Sequence, residues 1–84
     1  MSEDRLGAIH EEILQLLIQR EASYARPLSS TELGLLLRVA PSYIREQVSL
    51  LRRRKLVSVR RGRGGGYYLS RANLVRHRAG VQSL

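Results

Sequence analysis

The sequence from residue 40 to residue 69 is APSYIREQVSLLRRRKLVSVRRGRGGGYYL, and its first half has the periodicity of an amphipathic helix. On a helical wheel of 100° per residue, Ile44, Val48 and Leu51 share one apolar stripe. A proline at the second position suits a first helical turn, because the N–H that proline lacks has no helical partner there. We therefore predict a helix over about residues 41–54 that buries one face and exposes the other.

The opposite face of this helix carries arginines and small hydroxyl side chains. Small residues let a helix backbone approach DNA bases closely, and arginine bonds to guanine edges or to phosphate. The pattern also fits a solvated basic helix whose last arginines face the negative pole of the helix dipole. We favour a recognition helix in the major groove of duplex DNA. The residues predicted to contact bases or phosphates are Ser42, Tyr43, Arg45, Glu46, Ser49, Arg52 and Arg53.

A glycine-tipped hairpin is predicted over about residues 56–69. Short runs of β-branched and aromatic residues flank a loop rich in glycine, which supplies the positive φ angles of a tight reversal. The same loop carries Arg60, Arg61 and Arg63, so we predict that these three arginines contact DNA at the minor groove. A phosphate-binding loop is disfavoured because no lysine and hydroxyl residue follow the glycines. A disordered Arg-Gly-Gly segment for RNA usually repeats, and this one does not.

A helix followed by a basic hairpin is typical of winged helix-turn-helix proteins, and the stretch resembles the Rrf2 family of bacterial transcription regulators. The resemblance covers roughly residues 28–70, and its glycine run is the most specific part. The matching segments are Tyr43-Ile44-Arg45-Glu46, Leu51-Arg52-Arg53, Leu56-Val57 and Arg61-Gly62-Arg63-Gly64-Gly65-Gly66-Tyr67. The resemblance implies a mainly α fold with a small β-hairpin: a three-helix core plus a wing that binds double-stranded DNA with some sequence preference. Arg45-Glu46 replaces the family's Glu-Gln pair, so we carry over no particular DNA sequence.

Two features of Rrf2-type regulators are not matched in this sequence. Such regulators sense through a cysteine-held iron–sulfur cluster or a related site, and they dimerise through a long helix after the wing. This chain contains no cysteine, and a short basic segment of residues 70–84 follows the hairpin. We therefore predict no cofactor and no metal, and we expect any homodimer to form through the first helix or through this segment.

Charge separates the two halves of the chain. Residues 1–39 carry four basic and six acidic side chains, whereas residues 40–84 carry eleven basic and one acidic. A net charge of +10 on the second half indicates a polyanionic partner, and nucleic acid fits better than a membrane because no interfacial apolar face accompanies the charge. The acids are scattered and no nucleophile has a partner base, so we predict no enzyme activity. We expect a cytoplasmic, nucleoid-associated protein.

The first half supplies the other helices of a single domain covering 1–84. The first helix is predicted at about 3–21, opened by Ser2, with an apolar arc of about 200° that exceeds the usual width. Leu14 and Ile18 widen this arc, and they belong either to the core or to a partner subunit's contact. His10 lies in the same arc and is interpreted as a core-edge histidine rather than a ligand.

The second helix is predicted at about 30–38, opened by the capping box of Ser29 and Glu32. Gly34 falls where two helices of a helix-turn-helix unit approach closely. The following turn has Arg38 or Val39 where many such units have glycine. A non-glycine residue forced to a positive φ there would cost about 1 kcal/mol, so we expect the turn to differ slightly from that of the family.

Two minor elements complete the interpretation. A short strand over 26–28 is expected to pair with the hairpin, and Ser70 is expected to cap a short basic helix.

Two other functions remain open at this point. One is a winged helix that binds another protein, and the other is sequence-independent binding of DNA or RNA.

Overall fold

The computed structural model describes residues 7–75, in which three helices precede a two-stranded antiparallel hairpin. A helical segment over 71–75 follows the hairpin. This is the mainly helical fold with a small wing that the sequence predicts. The elements are α1 (Ala8–Gln19), α2 (Ser30–Leu37), α3 (Pro41–Arg53), β1 (Ser58–Arg60) and β2 (Gly66–Tyr68).

The first helix is shorter than predicted. Among the described residues α1 begins at Ala8, because the backbone at Gly7 is extended (φ −75°, ψ 174°); the predicted start near residue 3 lies outside the described residues. The Gly7 N–H donates to Nδ1 of His10 at 3.0 Å, so a histidine side chain closes this end of the helix. The predicted cap at Ser2 lies outside the described residues.

The core accounts for the wide apolar arc of α1. Leu14 is only 4% exposed, so of the two alternatives the structure places it in the core rather than at a partner subunit's contact, and Ile18 is half-buried against the same core. Side chains from α2, from α3 and from the base of the hairpin join this core, which explains why more than one stripe of α1 is apolar. The buried core residues are Ile13, Leu14, Leu17, Ala22, Leu33, Ile44, Val48, Leu51, Val57 and Leu69.

The helix-turn-helix unit depends on a capping box and a glycine. The Ser29 hydroxyl accepts from the Glu32 N–H at 3.0 Å, and the Glu32 carboxylate accepts from the Ser29 N–H at 2.8 Å, as predicted. At Gly34 a Cβ atom would lie 2.6 Å from the carbonyl oxygen of Val39, a distance that real Cβ atoms do not tolerate. The absence of a side chain at this position therefore allows α2 to run closely past the start of α3.

All three helices end without a glycine at the left-handed position. In each case the residue that follows the left-handed one donates its N–H, at 2.9 Å, to the carbonyl five positions earlier. This is the long hydrogen bond of a Schellman motif. In the turn between α2 and α3, Arg38 is the residue with the positive φ. The left-handed residues are Glu21 (φ 54°), Arg38 (φ 62°) and Lys55 (φ 60°).

The wing is a hairpin with one additional backbone partner. β1 and β2 pair in the register Ser58–Tyr68, Val59–Tyr67 and Arg60–Gly66. Leu28 and Tyr67 exchange both of their backbone hydrogen bonds, at 2.9 and 2.7 Å, so the predicted first strand is present as a single bridge.

A serine caps the start of the helical segment that follows the wing. The Ser70 hydroxyl accepts from the Asn73 N–H at 3.2 Å, as expected for a helix start. The Asn73 side chain then donates to the Lys55 carbonyl at 2.8 Å and so ties this segment to the end of α3. The rest of the predicted basic segment, 76–84, lies outside the described residues.

Candidate nucleic-acid interface

The third helix turns one face into the core and the other to solvent. Ile44 and Leu51 are fully buried and Val48 is nearly so, as the apolar stripe predicts. Because these three anchors fix the rotation of the helix about its axis, they determine which side chains point outward. The outward residues include every predicted contact on this helix, and all are exposed: Ser42, Tyr43, Arg45, Glu46, Ser49, Arg52 and Arg53.

Near its beginning, α3 is linked to α2 through one of these outward side chains. Arg45 donates from Nη1 to the hydroxyl oxygen of Ser30 at 3.4 Å. That distance is long for a hydrogen bond, so the contact orients the guanidinium without holding it firmly. The sequence did not point to Ser30, because no spacing rule relates positions fifteen residues apart on different helices.

The wing follows α3 after a short link, residues 54–57. The loop between its two strands, residues 61–65, exposes two arginines. Arg61 and Arg63 are both exposed, the first directly after β1 and the second in the turn. The turn is formed by Gly62 (φ 98°) and Gly64 (φ 73°), and the Gly65 N–H donates to the Gly62 carbonyl at 3.0 Å. The glycines therefore supply positive φ angles as predicted, and they leave the two arginines as the only long side chains of the turn.

Arg60 occupies a different place from the one predicted beside Arg61 and Arg63. Its side chain is half-buried, and its guanidinium donates to the backbone carbonyls of Tyr24 at 2.7 Å and Gly64 at 2.8 Å. The same guanidinium lies over the Tyr24 ring, 5.4 Å from its centroid. The structure thus directs this arginine into the protein, where the connector before α2 meets the wing.

Sequence reasoning missed the contribution of Tyr24. It lies in the connector between α1 and the Leu28 bridge, where no periodic pattern singles it out. Its ring also meets the ring of Tyr68 edge to face, with centroids 5.8 Å apart and planes at 88°. A solitary aromatic residue in a polar connector is the only signal in the sequence that could have indicated such a contact.

The described part of the chain offers little for other chemistry. Within residues 7–75 no group of three or more His, Cys, Asp or Glu side chains could hold a metal ion. His10 accepts a hydrogen bond at Nδ1, whereas its Nε2 is buried with no partner in the described range. No described helix is long and apolar enough to cross a membrane.

Comparisons with known proteins agree with this architecture. A model of the Rrf2 family, described as iron-dependent transcriptional regulators, matches residues 10–74. Among solved structures, CymR (YrzC), the global cysteine regulator of B. subtilis, is similar with a TM-score of 0.59 and 25% identity. That alignment covers 77% of this chain and 51% of CymR. IscR of T. potens has the same fold, with a TM-score of 0.59, 21% identity, and coverage of 86% of this chain and 58% of IscR.

The chain therefore spans between half and three-fifths of the length of these two solved structures. A search of the curated proteins finds no match. The family model nevertheless covers most of the 84 residues, and it includes the helix-turn-helix unit, the recognition helix and the wing. This confirms the resemblance seen in the sequence, and we conclude that the chain belongs to the Rrf2 family.

Proposed function

We propose that this protein regulates transcription by binding duplex DNA with α3 in the major groove and the wing loop at the adjacent minor groove. The proposal rests on the contrast between the buried apolar face of α3 and its exposed polar face. Its buried anchors fix the helix, while the opposite face presents arginines and small hydroxyl side chains to solvent. That surface is mounted on a fold shared with solved regulators of the same family.

The proposed contacts divide into two kinds. Side chains near the middle of the exposed face, Ser42, Arg45, Glu46 and Ser49, read base edges. Tyr43, Arg52 and Arg53 bind phosphates along the groove, and Arg61 and Arg63 bind the minor groove or its phosphates. Phosphate contacts position the protein and provide most of the affinity, whereas base contacts set the sequence preference.

Electrostatics supports this division. From residue 40 onward the sequence has a single acidic side chain, Glu46, against eleven basic ones. A surface of this charge accumulates polyanions and speeds their association. Arg45 is free to exchange its long bond to Ser30 for a guanine edge at little cost, because a 3.4 Å contact is weak.

The proposal is tested by fluorescence anisotropy with labelled duplexes of several sequences. The double variant Arg61→Gln/Arg63→Gln should weaken binding to every duplex and reduce the slope of log K against log salt by about two. Arg20→Gln is the matched control, because it removes an exposed arginine from the end of α1 and should leave binding unchanged. Equal affinities for the double variant and the unsubstituted protein would contradict the proposal.

Sequence preference is tested by selecting duplexes from a random pool. Arg45→Gln should relax the enriched motif at one position, at a cost of about 1–3 kcal/mol for the preferred base. Arg63→Gln should leave the motif intact while lowering all affinities. An unsubstituted protein that enriches no motif would instead indicate sequence-independent binding, and stronger retention on structured RNA would indicate an RNA ligand.

We further propose that two copies bind a near-palindromic site, with recognition helices about 34 Å apart. Either the half-buried Ile18 of α1 or the segment after the wing is the surface we assign to the contact, since Leu14 is enclosed in the core. Sedimentation of the protein at high concentration should show a dimer, and a monomer throughout would contradict this part. A regulator of this kind would reside in the cytoplasm on the nucleoid.

Iron has no place in the proposed function of this chain. The family model is described as iron-dependent. However, the sequence contains no cysteine, and residues 7–75 hold no cluster of side chains able to bind a metal. The residues present therefore do not fit an iron site, and every proposed contact uses the protein's own side chains.

A further inference from the structure

We propose that Arg60 is a positioning residue that locks the wing loop against Tyr24 and thereby holds Arg61 and Arg63 in place for DNA. The inference rests on the proposed function, and it assigns to Arg60 a role different from the DNA contact that its sequence position suggests. Three independent contacts carry it: two backbone carbonyls and one aromatic face.

The first step is the way in which the side chain closes the loop. Arg60 is the last residue of β1, and its guanidinium returns to the carbonyl of Gly64 at 2.8 Å. This bond spans the loop that contains Arg61 and Arg63. Within the same turn, the Gly65 N–H also donates to the Gly62 carbonyl at 3.0 Å.

The second step is the anchor outside the wing. The other terminal nitrogen of Arg60 donates to the Tyr24 carbonyl at 2.7 Å, and the guanidinium lies over the Tyr24 ring. Tyr24 in turn packs edge to face on Tyr68 of β2. The loop is therefore fastened to the connector before α2 and to the neighbouring strand, although Tyr24 itself is 62% exposed.

The third step is the composition of the loop. Glycine loses more conformational freedom on ordering than any other residue, and a run of glycines has no side chains to pack. Such a loop stays ordered only where hydrogen bonds fix it. Without Arg60 the loop would become ordered only when DNA binds. The entropic cost of that ordering would make the binding free energy less favourable.

Arginine is the residue type that this geometry requires. Its planar guanidinium reaches two carbonyls with separate N–H groups and stacks on an aromatic face at the same time. A lysine keeps the charge but presents a single ammonium group, which does not reproduce the fork or the stacking. Arg60→Lys therefore separates a positioning role from a simple phosphate contact, which a lysine would largely preserve.

The experiment compares Arg60→Lys with Arg61→Lys in the full chain. The two variants make the same change at neighbouring positions. Only the first removes the contacts of the Arg60 guanidinium with Tyr24 and Gly64. Backbone ¹⁵N relaxation of the DNA-free protein should show the order parameters of Gly62, Gly64 and Gly65 falling from about 0.85 to below about 0.6 in Arg60→Lys. Arg61→Lys should leave them at the unsubstituted values.

DNA binding then shows whether the loop acts through its two arginines. Arg60→Lys should weaken duplex binding at least roughly tenfold, because ordering the backbone of even one loop residue on binding costs about that factor. In the Arg61→Gln/Arg63→Gln background the same substitution should have almost no further effect, because the groups that it positions are gone. Tyr24→Ala should reproduce part of the loss, and Tyr24→Phe should behave as the unsubstituted protein.

Two results would overturn the inference. One is a loop equally rigid in Arg60→Lys and in the unsubstituted protein. The other is a loss of affinity that adds in full to that of Arg61→Gln/Arg63→Gln, which would make Arg60 a direct DNA contact. If the unsubstituted protein bound no duplex, the proposed function would fail, and the relaxation comparison would still decide whether Arg60 holds the loop.

Discussion

The recognition helix and the wing present arginines by different physical means. α3 is held by burial of Ile44, Val48 and Leu51, whereas neither β1 nor β2 contains a fully buried residue. The wing is instead held by backbone pairing and by the hydrogen bond from Arg60 to the Gly64 carbonyl. Glycines stand where two backbone segments come too close for a side chain. The helix therefore resists changes on its exposed face, while the wing depends on single polar contacts.

The largest effect is expected from breaking the apolar anchor of α3. Leu51 is fully buried, so Leu51→Ala should lower the free energy of unfolding by about 2–5 kcal/mol through lost burial and a residual cavity. Val59→Ala in the half-buried β1 should cost about 1 kcal/mol or less. Urea denaturation monitored by circular dichroism measures both, and equal losses would remove the contrast between the two regions.

The contact between α2 and α3 comes next. Gly34→Ala places a Cβ atom against the Val39 carbonyl and should destabilise the protein by about 1–3 kcal/mol, because backbone has to move. Leu35→Ala on the same helix is the control, since Leu35 is 76% exposed and its truncation should change stability by about 0.5 kcal/mol at most. A Gly34→Ala variant as stable as its control would show that the helices separate without cost.

A third substitution affects the wing while leaving α3 intact. At Gly66 a Cβ atom would lie 2.5 Å from the Leu28 carbonyl, so Gly66→Ala should disrupt the bridge between Leu28 and Tyr67. We expect a cost of about 1 kcal/mol, since the edge of the hairpin can shift more easily than packed helices. Hydrogen exchange should accelerate at the Tyr67 amide and stay slow at Leu51. Unchanged exchange at Tyr67 would contradict this explanation of the glycine.

The smallest effect has the opposite sign. Arg38 ends α2 in the left-handed conformation, which glycine adopts without steric cost. Arg38→Gly should therefore raise the free energy of unfolding by about 0.5 kcal/mol after the entropy of the unfolded chain is counted. Glu21→Gly should give a similar gain at the end of α1. A loss of stability in both variants would show that the charged side chains at these ends contribute more than the strain.

The same contrast explains how much could be predicted from the sequence. Helical periodicity located the buried stripe of α3, and the Ser29–Glu32 spacing located the start of α2, because both are local patterns. The width of the apolar arc on α1 was correctly noted, but the sequence could not separate core from interface. The burial of Leu14 depends on elements that come later in the chain.

The polar contacts of the wing were beyond sequence reasoning. Arg60 and Tyr24 are 36 positions apart, and no propensity or period relates them. The sequence therefore grouped Arg60 with Arg61 and Arg63 as three equivalent arginines. The left-handed conformations of Glu21 and Lys55 could likewise not be predicted, since neither position carries the glycine that usually marks such a terminus.

The most direct test of the proposed DNA interface is the salt dependence of duplex binding by the unsubstituted protein. If α3 and the wing together neutralise about five or six phosphates, log K should fall against log salt with a slope near −5. Affinity for duplex DNA that is absent, or that stays constant from low to physiological salt, would contradict the proposal that this basic surface binds nucleic acid.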